Sequence, residues 1–366
     1  MPKDIVLGRV TESTIARVDI SHVERLAQHK LREGDIVYGR RGDIGRRGLV
    51  SAREAGWLCG TGCLRISLGK KIIDPAYLYY YLGEARVVAG IAQQAVGATM
   101  PNLNTSILRG IEIRFPDLLI QRRIADILAA YDDLIENNTR RIAILEDMAR
   151  RLFEEWFGRD ADHGMPDPVR IDALIDFDPK TKVAKEGLKP FLPMPCVPTN
   201  SMVVSQWEER EGNAGSKFLN GDTLLARITP CLENGKTAFV DFLPDGTAGF
   251  GSTEFIVMRG RVVPPEFVYC LARSDAFRKH AIKSMSGATG RQRVSSAAVA
   301  QFEIASPQPK QLEKFGQAAK PMFSMIRSLA DANTNLRTTR DLLLPKLISG
   351  EIEVRAPKEE LEAAAA

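Results

Sequence analysis

The sequence predicts an α+β fold of two tandem α/β-mixed modules, joined by two long helices that pair as an antiparallel coiled coil. Three observations lead to this prediction. The 366 residues suffice for two domains of ordinary size. Short motifs recur at a nearly constant offset along the chain. Each copy also ends in a helical stretch with a heptad pattern of apolar residues.

The first module, residues 1–117, shows alternating strand and turn signals. A Gly-Asp pair opens a strand at residues 36–38, the glycine-rich segment 40–48 is typical of a hairpin tip, and residues 63–68 predict a further strand. A short helix is expected over residues 75–82, because an aspartate and a proline mark its start. These signals predict a module of short strands and helices.

A first long helix is predicted over residues 118–158, which contain no proline. About 40 helical residues would extend for about 60 Å. The apolar seam steps by four and three residues through Ile124, Leu128, Tyr131, Ile135, Asn138, Ile142, Leu145, Ala149, Leu152 and Trp156. We expect Asn138 to be buried in this seam, where it would fix the register of helix pairing, rather than to face solvent.

The second module is expected over residues 159–309, and a second long helix over residues 310–350. Adding 191 to each seam position gives Phe315, Ala319, Met322, Ile326, Leu329, Asn333, Leu336, Arg340, Leu343 and Leu347. Two seams of equal length in one chain favour an internal antiparallel pair. Pro321 and Pro345 are expected to bend or interrupt this helix, and residues 351–366 to form a flexible tail.

The duplication extends upstream of the helices. Offsets of 187, 190 and 191 relate Gly34–Arg40 to Gly221–Arg227, Gly97–Thr99 to Gly287–Thr289, and Ile111–Ile113 to Phe302–Ile304. About 60 residues precede the Gly-Asp pair within the second module, against 33 in the first. We therefore expect the first module to lack an opening segment. A short natural start, a misassigned start codon and a truncated product all remain open as explanations.

Composition limits the class of protein. The net charge of +4 is too small to indicate nucleic-acid binding by itself. The five cysteines and four histidines are scattered without the spacing of a zinc site, so we expect reduced thiols and no metal. No apolar run approaches the roughly 18 residues of a membrane span, and no signal-peptide pattern begins the chain. The expected location is the cytoplasm, without membrane contact.

Motifs for catalysis are missing from the sequence. There is no Asn-Pro-Pro-Tyr or Asp-Pro-Pro-Tyr tetrapeptide to hold a flipped base, and no G-x-G-x-x-G to cradle a nucleotide. Gly235–Thr237 resembles the end of a phosphate-binding loop, but Pro230 stands where the first glycine is required. Asp35 and Asp222 could form a metal pair; capping of backbone amides in Gly-Asp turns is the expectation we favour. The chain is therefore predicted not to be an enzyme.

Hydrogen-bond donors are concentrated in glycine-rich loops at equivalent places in both modules. In the first module they are Arg40, Arg41, Arg46, Arg47, Thr99, Asn102 and Asn104. In the second they are Arg227, Asn234, Lys236, Ser286, Thr289, Arg291, Gln292 and Arg293. Arginine can read guanine and Asn or Gln can read adenine, whereas Lys, Ser and Thr hold phosphates. One such loop would usually be a solvated hairpin tip, but a matched pair predicts recognition of a split DNA site.

The sequence resembles the specificity subunit of type I restriction-modification systems over nearly its whole length. The residues that carry the resemblance are Asn220–Lys236, Gly251–Phe255, Gly287–Arg293, Gln121–Ala125, Leu152–Phe157 and Leu343–Ile352. The resemblance implies two target recognition domains that each read half of an interrupted DNA site, with the helices as a ruler for the spacer.

The resemblance also implies partners. These are double-stranded DNA, two modification subunits that use S-adenosylmethionine for adenine-N6 methylation, and restriction subunits that use ATP and magnesium. None of these cofactors is expected in this chain. Two other functions remain as alternatives: an autonomous DNA-modifying enzyme, and a coiled-coil adaptor that does not contact DNA.

Overall fold

The computed structural model describes residues 1–6, 8–12, 15–41, 44–69, 72–94, 102–158, 167–288 and 290–355. The chain divides into two compact units. Unit 1 comprises residues 1–134 and 336–366, and unit 2 comprises residues 135–335. Both long helices therefore contribute residues to each unit.

The strands of unit 1 are β1 (Ile5–Val6), β2 (Arg9–Val10), β3 (Ile36–Gly39), β4 (Arg47–Leu49) and β5 (Cys63–Ile66). They form a three-stranded antiparallel sheet of order β4-β3-β5 and a small hairpin of β1 and β2. The short helices of unit 1 are α1 (Ile20–Arg25), α2 (Pro75–Tyr81), α3 (Ala85–Gln94) and α4 (Thr105–Arg109).

Helix α2 joins the sheet of unit 1 to the long helices. The Asp74 carboxylate accepts hydrogen bonds from two backbone amides of the first turn, which confirms the predicted helix start. Leu78 and Leu82 pack into the core over the sheet. Tyr77 and Tyr80 pack into the cluster formed with the two long helices. The short helix thereby fixes the sheet relative to the coiled coil within this unit.

The long helices are α5 (Leu118–Phe157) and α9 (Pro309–Ser349). In unit 1, Ile124 near the start of α5 shares a core cluster with Leu347 near the end of α9. In unit 2, the Phe157 ring at the end of α5 lies 5.5 Å from the Phe315 ring near the start of α9. The predicted antiparallel pairing is thus confirmed. Within the described residues, no helix is long and apolar enough to cross a membrane.

The strands of unit 2 are β6 (Pro168–Arg170), β7 (Ile175–Phe177), β8 (Lys189–Leu192), β9 (Glu208–Arg210), β10 (Ser216–Phe218), β11 (Thr223–Ala226), β12 (Thr237–Phe239), β13 (Gly249–Gly251), β14 (Phe255–Gly260) and β15 (Glu303–Ala305). They form two four-stranded sheets, of order β12-β11-β14-β7 and β10-β13-β8-β9, and a β15-β6 pair. The short helices of unit 2 are α6 (Pro265–Arg273), α7 (Asp275–Lys283) and α8 (Ser296–Val299).

The duplication predicted from the motifs is present in the strand pairing. The order β4-β3-β5 of unit 1 recurs as β12-β11-β14 in unit 2, again with both outer strands antiparallel to the central one. The register also recurs, since Val37 lies opposite Gly48 and Leu224 lies opposite Ala238. Helices α2, α3 and α4 correspond in order to α6, α7 and α8. The second sheet of unit 2 is an addition to this shared framework.

Asn138 has a partner on the opposite helix. It is half-buried, and its Nδ2 donates to Oδ1 of Asn333 at 3.1 Å. Asn333 is only 3% exposed. Its own Nδ2 donates to Thr139 Oγ1 at 3.2 Å and to the Ile135 carbonyl at 3.3 Å. The polar position expected to fix the register is therefore a pair of asparagines, one from each helix.

Of the two outcomes expected at the prolines of the second long helix, a bend or an interruption, interruption is wrong. Helix α9 continues through both Pro321 and Pro345. An internal proline costs about 3 kcal/mol. Burial of one large apolar side chain contributes about 1.5–3 kcal/mol, and Phe323 and Leu344, beside the two prolines, are both buried. Together with the nearby buried residues Ile326 and Leu347, this packing outweighs the local cost of the two prolines.

Two segments lie largely outside the described residues. Between α5 and β6, residues 159–166 are not described, and of the expected tail, residues 356–366 are not described. The described tail residues 351–355 contain no helix or strand.

Candidate nucleic-acid interface

The Gly-Asp turns before β3 and β11 are capped as expected. The Asp35 carboxylate accepts from the Arg32 amide at 2.8 Å. Equivalently, Asp222 accepts from the Leu219 amide at 2.7 Å. Asp222 also binds the Arg259 guanidinium through both oxygens, at 2.6 and 2.7 Å. The capping role is confirmed, and in the part of the chain that is described, no group of three or more potential ligand side chains could hold a metal.

An arginine at the end of the central strand holds a distant loop in both modules. In unit 1, Arg40 Nε donates to the Leu103 carbonyl at 3.0 Å, and the Leu103 amide donates back to the Arg40 carbonyl at 2.9 Å. In unit 2, Arg227 Nε donates to the Val294 carbonyl at 3.1 Å, with a return bond of 2.9 Å. We call this two-bond arrangement the loop lock. Arg40 and Arg227, both predicted to donate to DNA, therefore donate to a backbone carbonyl of their own module.

The loop lock brings the two predicted donor clusters of each module together. In unit 1 the next residues along the two segments, Arg41 and Asn102, form an isolated β-bridge. In unit 2 the corresponding residues, Ile228 and Arg293, form the same bridge. Segments that are about 60 residues apart in sequence therefore lie side by side in each module.

Three donors lie around the bridge in unit 1. Arg41 is exposed. The Asn102 side chain is half-buried, and its Oδ1 has no hydrogen-bond partner in the described structure. Asn104 caps α4, because its Oδ1 accepts from the Ile107 amide at 2.9 Å. Thr99 lies outside the described residues.

Arg46 and Arg47 are directed toward the module itself. Arg46 is half-buried, and its Nη1 donates to the Pro2 carbonyl at 3.3 Å. Arg47 Nε donates to the Tyr79 carbonyl at 2.5 Å, and its guanidinium lies 4.7 Å from the centre of the Tyr79 ring. Burial lowers the pKa of the Arg47 guanidinium. These partners give Arg47 a clear structural role.

The donors that follow β11 in unit 2 differ in exposure. Lys236 Nζ donates to the carbonyls of Met194 and Pro195 at 2.7 and 3.2 Å, so it ties down the segment after β8. Asn234 is exposed on the turn before Lys236.

The loop before α8 in unit 2 presents a further group of predicted donors. Ser286 is exposed and pairs with Arg293 through two backbone bonds, which close the loop. Arg291 at the tip is exposed. The Gln292 carbonyl accepts from the Thr229 amide at 3.0 Å, while its side chain is half-buried. Thr289 is not among the described residues.

Arg293 has a charged partner that the sequence analysis did not place in the site. Its Nε lies 2.9 Å from both carboxylate oxygens of Glu254, and its Nη2 lies 2.6 Å from Oε1. These hydrogen bonds lower the pKa of the Glu254 carboxyl. The available signal was the position of Glu254 directly before β14, in a segment that the family resemblance already contained.

Comparison with known proteins agrees with this architecture. The family model described as "Type I restriction modification DNA specificity domain" matches residues 9–147. The type I restriction enzyme MjaIX specificity subunit of Methanocaldococcus jannaschii is 26% identical over 306 residues, covering 76% of this chain and 69% of that protein. The HindI specificity subunit of Haemophilus influenzae is 22% identical over 427 residues, covering 94% and 93%.

A solved structure shares the fold. The crystal structure of the S subunit of a type I restriction-modification system from M. genitalium superimposes with a TM-score of 0.53 at 18% identity, covering 86% of this chain and 83% of that one. The fold, the matched family model and the two relatives, one of them matched at nearly full length, agree. This chain is therefore similar to type I restriction enzyme specificity subunits over most of its length.

Proposed function

We propose that this chain is the DNA-recognition subunit of a type I restriction-modification complex and that each module reads one half of a bipartite site. The observation that carries the proposal is the recurrence of the loop lock in both modules. A duplicated device that positions donor-rich loops is expected when one recognition task is performed twice.

The lock prepares the loops for DNA binding. It fixes their backbone before binding, so less conformational entropy is lost when DNA is bound. Arg41, Asn234 and Arg291 are exposed on these loops and can donate to base edges or phosphates. Gly287 and Gly290, with φ of 120° and 81°, allow the tight path of the second loop. The affinity for DNA would then come from the donors on these loops and not from the small net charge of the chain.

The chemistry is assigned to partner subunits. The sequence lacks the motifs of a methyltransferase or nuclease, and the family resemblance assigns those activities to other chains. We therefore infer a non-catalytic chain that scaffolds two modification subunits using S-adenosylmethionine, and restriction subunits using ATP and magnesium. Two recognition modules are consistent with two copies of one modification subunit.

The proposal is tested by mapping methylated adenines in DNA from cells that express this chain with its modification subunits. The expected result is a single motif with two specified parts and an unspecified spacer. A second measurement, binding of the purified complex to duplexes at increasing salt, should show a specific preference above salt-dependent general binding.

Two outcomes would contradict the proposal. Methylation or S-adenosylmethionine binding by the isolated chain would indicate an autonomous enzyme. Complexes that assemble normally but bind DNA no more tightly than the modification subunits alone would indicate an adaptor. Arg151→Ala is a suitable control, since Arg151 is exposed on α5 and pairs with Asp147 at 2.6 Å, away from the loops. It should leave the motif unchanged.

A further inference from the structure

The bond pattern between Arg293 and Glu254 leaves a defined part of the arginine available. A guanidinium carries five N–H donors, which lie along a side edge, Nε with Nη2, and an end edge, Nη1 with Nη2. Glu254 occupies the side edge at 2.9, 2.9 and 2.6 Å. Nη1 makes no hydrogen bond within the described residues, and the Arg293 side chain is 47% exposed. The end edge is therefore presented to solvent.

The backbone of Arg293 is fixed as firmly as its side chain. Its amide and carbonyl bond to Ser286 at 2.9 and 3.0 Å, and it bridges Ile228 on the other segment. The next residue, Val294, belongs to the loop lock. An arginine that is held at both its backbone and its side edge can present only a small range of directions. Such preorganisation is typical of a recognition residue.

Among the described residues, the arrangement occurs in the second module and has no equivalent in the first. The backbone bond from Arg227 to Glu254 corresponds to the bond from Arg40 to Gly62 in unit 1. Glu254 therefore occupies the position of Gly62, as Arg293 occupies that of Asn102. The two modules thus share the backbone framework but differ in these two side chains, as expected for residues that distinguish the two half-sites.

We propose that Glu254 is a positioning residue that aims the end edge of Arg293 at O6 and N7 of one guanine in the half-site read by the second module. This inference rests on the proposed function. The two parallel donors of the end edge match the two acceptors that guanine presents in the major groove. A plain surface ion pair would contribute little to stability and would not need both carboxylate oxygens.

The test uses the complex of this chain with its modification subunits and a set of duplexes in which each base pair of the mapped site is replaced in turn. In Glu254→Gln the preference for guanine at one position of one half-site should fall about tenfold, while preferences at all other positions persist. Arg293→Lys should lose the same preference, because lysine cannot donate two parallel bonds. The double variant should be no worse than Arg293→Lys alone.

A matched control exists at the other end of β14. Asp176 accepts from Arg261 Nε and Nη2 at 2.8 and 2.5 Å, and that pair is also partly exposed. Asp176→Asn removes the same charge about 20 Å along the strand and should leave every base preference unchanged. Thermal unfolding of each variant checks the fold.

The outcomes separate a failure of this inference from a failure of the proposed function. An unchanged base profile in Glu254→Gln, or an equal loss at every position, would overturn the inference and leave the proposed function intact. A wild-type complex without any base preference would instead refute the proposed function, and this inference with it.

Discussion

The asparagine pair of the coiled coil gives the sharpest test of the structure. In Asn138→Leu, Asn333 Oδ1 loses its donor, yet Asn333 remains 3% exposed. An unsatisfied buried polar group costs about 1–3 kcal/mol. The new leucine recovers only part of the roughly 1.5–3 kcal/mol of full burial, because position 138 is half-buried. We expect a net loss of about 1 kcal/mol in the free energy of unfolding.

The double variant Asn138→Leu/Asn333→Leu should behave differently. It removes both polar groups, and position 333 gains a fully buried leucine. Thr139 Oγ1 keeps its bond of 2.7 Å to the Ile135 carbonyl, so no other group is left without a partner. Replacement of a buried polar pair by apolar residues is often neutral or stabilising. The double variant should therefore be at least as stable as the wild type.

Urea unfolding of the full chain, followed by circular dichroism, measures these differences. Asn137→Leu is the matched control, because Asn137 is the exposed neighbour on the same helix and should change stability by less than about 0.5 kcal/mol. The reasoning fails if Asn138→Leu alone is as stable as the double variant, since the interaction energy across the pair would then be close to zero.

Three further predictions address recognition, spacing and pH. Arg291→Ala with Gln292→Ala should relax the base requirement in one half of the methylated motif, by about 1–3 kcal/mol per lost bidentate contact, and motif mapping should show the other half unchanged. Residues 135–141 and 330–336 face each other around the asparagine pair, and their joint deletion removes about 10 Å of each helix. The unspecified spacer of the mapped motif should then shorten by about three base pairs. An unchanged spacer would show that the helices do not set its length. Burial raises the pKa of Asp241 to about 6, so the folded state binds that proton more tightly than the unfolded chain. The contribution of Asp241 to the free energy of unfolding should therefore rise as the pH falls from about 7 to about 4. Urea midpoints measured across this pH range should show the rise for the wild type and not for Asp241→Asn.

The long helices and the duplication were predictable because their signals are local or repeated. Heptad spacing fixes which face of a helix is buried without knowledge of the rest of the chain. The Gly-Asp turns could be assigned for the same reason, since the Asp35 carboxylate caps an amide only three residues away. The continuity of α9 through Pro321 was not predictable, because it depends on the partner helix.

The second sheet of unit 2 could not be predicted from local patterns. Its strands β8, β9, β10 and β13 are three or four residues long, and the pairing of β13 with β8 is parallel. Parallel neighbours join segments that are far apart in sequence, so neither a turn motif nor an alternating pattern marks them. The sequence showed only that the second module had more residues before its Gly-Asp pair.

The candidate site was predicted at the level of loops but not of individual contacts. Donor side chains are visible in a sequence, whereas most of the acceptors that engage them here are backbone carbonyls, which every residue carries; the Glu254 carboxylate bound to Arg293 is an exception. Nothing in the residue types showed that Arg40 would bond the carbonyl of Leu103, or that Arg47 would bond that of Tyr79. Exposure, which the structure supplies, separates these arginines from Arg41.

The same distinction suggests how such a chain can change specificity without losing its fold. Arg40 and Arg227 make equivalent bonds in the two modules, so each loop lock depends on one arginine side chain, two backbone carbonyls and one backbone amide. The neighbouring positions, Asn102 in one module and Arg293 in the other, share a backbone bridge but differ in side chain. Since the bridge is made by main-chain atoms, these side chains can be exchanged at little cost to the framework. Recognition of a new half-site then requires substitutions next to the lock, and none within it.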